Sequence, residues 1–161
     1  MAELTAVNLA GKYLTFKLAD EEYGLEILKV REIIGVLPIT AVPRMPTFVR
    51  GVINLRGKVI PVIDLRSKFE LDATSDTDQT CIIVVDVQSR SGSILVGILV
   101  DSVSEVLDIR GEDIEDAPAF GASVDTAFIL GMAKAKGSVK ILLNIEMVLS
   151  PAELEHVAGI A

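Results

Sequence analysis

The sequence holds no tryptophan, one cysteine, one histidine and only 4% aromatic residues. Each scarcity excludes something. A single cysteine, Cys81, permits no internal disulfide. Its setting in CIIVVDV reads as a small buried hydrophobe. A single histidine, His156, cannot build a histidine-carboxylate metal cluster, and it lies far from Cys81 in sequence. No G-x-S-x-G elbow, P-loop or G-x-G-x-x-G turn occurs. No apolar run approaches the roughly 18 residues of a membrane-spanning helix, so no direct membrane insertion is expected. The start, MAELTAVNLAGKY, lacks the basic region, apolar core and cleavage site of a signal peptide, and the compartment expected is the cytoplasm. Convergent reactive groups are missing throughout, which favours a binding or scaffolding protein over an enzyme. No cofactor and no metal are expected.

Half of the 161 residues are hydrophobic, enough apolar material to offset chain entropy. The net charge of -8 argues against nucleic acid as a partner. That charge is unevenly placed. Lys29 to Lys68 holds eight basic and two acidic residues, whereas Asp101 to Asp116 holds seven acidic residues and only Arg110 opposite. Two solvated faces or two complementary docking patches would both give this distribution. The linker FELDATSDTDQT carries Asp72, Asp76 and Asp78, but it fails the calcium-loop pattern: Ile83 stands at position 12 counted from Asp72.

Most apolar runs are short, rich in Val and Ile, and closed by Gly, Pro, Asp or Ser, which is a strand signature. Strands are expected near 12–19, 21–26, 32–36, 49–55, 58–63, 80–88, 93–100, 103–108, 128–134 and 138–145. Arg56-Gly57 and Lys136-Gly137 mark tight turns, because glycine can take the positive φ that such turns need. Pro61 interrupts the run after the first turn and reads as an edge-strand residue. At the C-terminus, Ser150, Pro151 and Glu153 form a capping box that opens a short helix over about 150–158.

The chain also repeats itself. FVRGVINLRGKVIPVIDL, from Phe48, aligns without a gap to FILGMAKAKGSVKILLNI, from Phe128, at an offset of 80 residues. GLEILKVREII, from Gly24, aligns to GILVDSVSEVL, from Gly97, at an offset of 73. Val30 then matches Val103, Glu32 matches Glu105, and Arg56 matches Lys136. Two matches in the same order imply two copies of one small β unit. Residues of about 12–70 and 80–146 form the two copies within a single domain spanning 1–161. Each would be marginal alone, so packing together is the natural remedy. The seam between them is a candidate groove.

At FVRGVINLRGKVIPVIDLRSKF, with EEYGLEILKVREII before it and GILVDSVSEVLDI after it, the sequence resembles the CheW family of bacterial chemotaxis adaptors. The resemblance runs from about Lys12 to Leu149. It implies a mainly β fold, two packed five-stranded β-barrels of the Src-homology type with a C-terminal helix. It implies a role without catalysis: coupling the cytoplasmic tip of methyl-accepting chemoreceptors to the regulatory domain of the histidine kinase CheA, at membrane receptor arrays. The positions that match the family's receptor-binding groove between the barrels are Val30, Glu32, Ile33, Asn54, Leu55, Arg56 and Gly57. For the kinase-facing surface the candidates are Ile39, Val42, Pro43 and Met45 in the proline-stiffened loop, and Phe120 in the second half. The alternative of another class is a small-molecule-binding or enzymatic double barrel, which would need a deep polar pocket between the halves.

Overall fold

The computed structural model describes residues 9–72, 74–90, 92–116 and 128–159. The chain is mainly β. Among the described residues eleven strands run in order as β1 (Gly11–Leu18), β2 (Glu21–Glu26), β3 (Val30–Gly35), β4 (Val49–Leu55), β5 (Lys58–Asp64), β6 (Cys81–Ser89), β7 (Gly92–Val100), β8 (Ser102–Ile109), β9 (Ile114–Glu115), β10 (Ile129–Ala135) and β11 (Ser138–Leu143). Among the described residues the helices after the strands are α1 (Leu65–Lys68), α2 (Ile145–Val148) and α3 (Pro151–Ala158), with short 3-10 turns at Ile27–Lys29 and Gly111–Asp113. Two sheets form, one in the order β3-β6-β7-β5-β4 and the other β8-β1-β2-β11-β10-β9. The second has six strands where five were expected, because the two-residue β9 pairs with β10 at Met132 and Ala133.

The two strand orders are the same plan written twice. Under the sequence offsets, β3, β4, β5 and β7 correspond to β8, β10, β11 and β2. Pairing register extends the match: Val84 faces Gly97 as Thr15 faces Gly24, so β6 corresponds to β1. The sheets, however, cut across the sequence halves. The first hairpin, β1–β2, joins the sheet of the second half through the parallel β2–β11 pair. The hairpin β6–β7 joins the sheet of the first half through the parallel β5–β7 pair. The two halves have exchanged hairpins, and the linker does not mark a boundary between sheets.

The exchange explains why so many strands are apolar on both faces. Side chains alternate along a strand, so a strand between two cores must serve both. In β6, Ile82 and Val84 enter a core inside the five-stranded sheet, while Ile83, Val85 and Val87 enter a core shared with the other sheet. Among the described residues that shared core is the largest, with Phe16, Tyr23, Ile63, Leu143 and Val157 also in it. The six-stranded sheet keeps its own smaller core of Tyr13, Ile109, Ile114, Ala133 and Leu142. Burying each such side chain contributes roughly 1.5–3 kcal/mol.

Ion pairs also join distant segments. Arg66 donates to both oxygens of Asp101 at 2.8 and 2.6 Å. Asp101 accepts in addition from the Ala19 amide at 2.8 Å. Arg66 holds the Asp101 carboxyl below its ordinary value, and the Ala19 bond acts in the same direction. The matching position of Arg66 is Glu146, which bonds Lys29 at 3.0 Å and accepts from the Gln88 amide at 3.0 Å. A similar junction is thus built in each unit with charge reversed, Lys29 standing one residue past Leu28, the position that matches Asp101.

Two expectations about local structure change. Pro61 is not on an edge strand, since β5 lies between β4 and β7. Val52, its partner on β4, directs both its amide and its carbonyl to Thr40, each at 2.8 Å, and so away from β5. Pro61 must then point its nitrogen toward β7, where pairing begins only at Val62. No ladder bond is lost. In the other sheet the corresponding pairing already includes Lys140 and Ile141, so that position keeps an amide. Second, residues 144–145 leave the expected strand to start α2, capped by Asn144, and α1 starts after Asp64, whose carboxylate accepts from the Arg66 amide at 3.0 Å. Four-residue helices carry no periodicity to read. Gly51 is fixed by close approach: a Cβ there would lie 2.1 Å from the Thr40 carbonyl oxygen. The capping box of α3 is present as expected, with Ser150 and Glu153 bonding each other's amides at 3.1 and 2.8 Å. His156 is exposed on that helix.

Candidate functional site

The turn between β4 and β5 holds Arg56 at φ 51 and Gly57 at φ 90. Two consecutive positive φ values match the twist of a hairpin and leave no slack. The Asn54 side chain accepts from the Gly57 amide at 2.8 Å and pins the turn further. Arg56 therefore projects from a rigid base. Its guanidinium reaches across to β3 and pairs with Glu32 through both terminal nitrogens, one of them at 3.4 Å. The bond to Glu32 pushes the Arg56 pKa further up, so the group stays cationic. The pair remains open to solvent, with the Arg56 side chain 70% exposed.

Glu32, Leu55 and Arg56 line a cavity of about 570 Å³. Its floor is aliphatic, with Leu55, Ile60 and Val84. Its wall is charged, with Arg31, Lys58 and Asp86. A β-bulge explains why Arg31 and Glu32, neighbours in sequence, both face it: the β3–β6 register shifts between Val30 and Glu32. All its lining residues come from the five-stranded sheet or its β4–β5 turn, so this cavity lies within one unit, where a groove between the two units was expected.

The other predicted positions fall around it. Val30 is half-buried against the shared core, and Ile33 is 43% exposed on the outer side of β3. Asn54 and Gly57 shape the turn without lining the cavity. Leu55 is buried, so it supplies floor rather than a protruding contact. In the loop 36–48, Ile39 packs on the core of its own sheet, Val42 and Met45 are half-buried, and Pro43 is exposed. Phe120 lies outside the described residues. Sequence reasoning missed Arg31, Lys58 and Asp86. Asp86 left a trace, a lone carboxylate in the apolar run CIIVVDV. Arg31 left none, because only the bulge turns it inward.

The matching end of the six-stranded sheet repeats the geometry. Lys136 at φ 50 and Gly137 at φ 80 form the turn, and Lys136 bonds Glu105 at 2.8 Å. Val59 and Val139 are each 50% exposed at equivalent places. A separate groove of about 880 Å³ lies on the helical side of the seam, where Phe69 and Phe128 stack at 5.0 Å. Among the described residues, no group of three or more metal-ligating side chains occurs, and no helix is long and apolar enough to cross a membrane.

Residues 12–153 match the family model described as the CheW-like domain. A chemotaxis protein CheW of Klebsiella aerogenes is 38% identical over all of this chain and 95% of its own length. One from Rhizobium meliloti is 35% identical, covering 92% of this chain and 93% of its own. The crystal structure of the scaffolding protein TtCheW from Thermoanaerobacter tengcongensis superposes with a TM-score of 0.79 at 35% identity, covering 90% of this chain and 97% of that one. With the strand plan, the NLRG turn and these likenesses in agreement, the chain belongs to the CheW-like family of chemotaxis scaffold and adaptor proteins.

Proposed function

We propose that this chain couples methyl-accepting chemoreceptors to the histidine kinase CheA, acting by binding alone. It works in the cytoplasm and is recruited to receptor arrays at the membrane. The observation that carries this reading is the Arg56–Glu32 pair, set on a rigid turn at the rim of an aliphatic-floored cavity. A helical hairpin such as a receptor tip offers an apolar stripe flanked by charges. The cavity offers the complement: floor for the stripe, and a preorganised guanidinium that can trade Glu32 for a carboxylate of the partner. The half-exposed Ile33 and Val59 extend the apolar contact beside it. The kinase regulatory domain is assigned to the loop holding Val42, Pro43 and Met45, whose three prolines between Pro38 and Pro46 limit the entropy lost on docking.

The test is binding of the purified chain to two partners, a receptor-tip fragment and the CheA regulatory domain, followed by calorimetry. The wild type binds both. Arg56→Ala and Val30→Met weaken the receptor fragment by about tenfold or more, as loss of a charge-assisted bond or overpacking would, and leave CheA binding intact. Normal coupling of receptors to kinase by both variants would remove the cavity from the mechanism.

A further inference from the structure

The turn-to-strand ion pair occurs in both units, Arg56 with Glu32 and Lys136 with Glu105, so the fold itself uses it. A second pair beside it occurs once. Arg31 donates to Asp86 through Nε at 3.2 Å and Nη2 at 2.6 Å, both to the same oxygen, Oδ2. The corresponding positions in the other sheet are Ser104 and Lys17, which cannot form that pair. A feature that one copy has and the other lacks is not demanded by the shared fold.

The remaining oxygen, Asp86 Oδ1, is buried and accepts no hydrogen bond from any described residue. A buried carboxylate oxygen without a donor is costly, and the cost disappears when a donor arrives. Asp86 lines the same cavity as Glu32 and Arg56. Arg31 is 63% exposed and free to swing out, which would let the carboxylate turn toward the cavity.

We propose that Asp86, gated by Arg31, determines which partners the cavity accepts, selecting a helix that presents a lysine, arginine, asparagine or glutamine side chain opposite it. This rests on the docking reading above and names its selectivity. Binding would place the partner's N–H on Asp86 Oδ1, and the displaced Arg31 guanidinium would face solvent or a carboxylate on the same helix. The other unit, with Lys17 in place of Asp86, would repel a cationic donor and offers no carboxylate to an amide one, so two ends of similar shape would differ in what they bind.

A double-mutant cycle tests this. The probes are the soluble receptor-tip fragment from the same cell and its single alanine variants at each Lys, Arg, Asn and Gln of the tip. Against the wild-type fragment, Asp86→Ala should weaken binding about tenfold and Asp86→Asn should restore part of it. Arg31→Ala should leave affinity unchanged or raise it, which separates the acceptor from its gate. One tip position should lose nothing further in the Asp86→Ala background. Additive losses at every tip position, or an Asp86→Ala affinity within twofold of wild type while Arg56→Ala still weakens binding about tenfold or more, overturn this inference alone. Failure of the wild-type chain to bind the fragment overturns the docking reading and this inference with it.

Discussion

Lys140 occupies, in the six-stranded sheet, the position that Ile60 holds in the five-stranded sheet, and both are almost fully buried. The lysine survives there because its surroundings changed with it. Its ammonium donates to Ser138 Oγ at 2.6 Å and the Ala135 carbonyl at 3.0 Å, and reaches Glu22 at 3.5 Å. The corresponding residues around Ile60 are Lys58, Leu55 and Leu95. Thr15 and Val84 differ in the same sense: the Thr15 hydroxyl bonds both backbone groups of Glu105, at 2.8 and 3.2 Å, where Val84 only fills space. One strand plan therefore tolerates a polar or an apolar interior, provided that each buried polar group finds a partner. The five-stranded unit keeps an apolar interior and carries its charged groups at the rim of the cavity.

The comparison breaks most visibly if interiors are exchanged. Ile60→Lys puts an ammonium where Leu95 stands in place of Glu22 and where the nearby carboxylates, Glu32 and Asp86, are already paired with arginines, and unfolding in urea should show a loss of about 3–5 kcal/mol or no folded protein. The reverse change, Lys140→Ile, should shift stability by less than about 1.5 kcal/mol, because Glu22 is partly exposed and can turn to solvent, while the buried ammonium's desolvation cost is removed. Equal losses in the two variants would mean that the units do not differ in the way described.

Next in size are the two charge-reversed junctions. Arg66→Ala leaves the half-buried Asp101 without its guanidinium and should cost about 1–3 kcal/mol. Lys29→Ala, at the more exposed counterpart, should cost under about 1 kcal/mol. The pH profile sharpens the point. Asp101 and Glu153 are both held below their ordinary values, Asp101 by Arg66, and Glu153 by Lys68 and the Ser150 amide against the opposing effect of burial. A depressed folded pKa stabilises the protein above the unfolded value and stops doing so as pH falls through the folded one. Stability should therefore hold from neutral pH to about 5 and fall below roughly 4. Arg66→Ala should flatten that fall, and an unchanged slope would show that the Arg66–Asp101 pair does not set it. The smallest effect on stability belongs to the turn cations. Arg56→Ala and Lys136→Ala should each change it by less than about 1 kcal/mol. Only Arg56→Ala should alter receptor binding, and equal loss from both would make the two ends functionally alike.

Much of this was legible before the fold was known. The alternation that defines β6, the Arg56-Gly57 and Lys136-Gly137 turns, and the Ser150 cap all arise from local chemistry and stand where the sequence puts them. Arg56 and Glu32 could be named as one site through the family resemblance, and they do meet. What escaped was non-local. Pro61 was misplaced because the start of the β5–β7 pairing is set by Gly97, far along the chain. The cavity wall was incomplete because Arg31 faces inward only through a bulge against β6.

The residues alone determined that the chain is β-rich, that it is built from one unit used twice, and that a rigid cation projects from the first turn. These follow from side-chain period, turn chemistry and repetition, all of which act between near neighbours. The tertiary structure alone decided that the copies trade their hairpins, that Lys140 is housed where Ile60 has a counterpart, and that Asp86 stands beside Arg56. Parallel pairing and bulge placement bring together segments separated by tens of residues, and no local pattern encodes which distant strand an exposed backbone edge will meet.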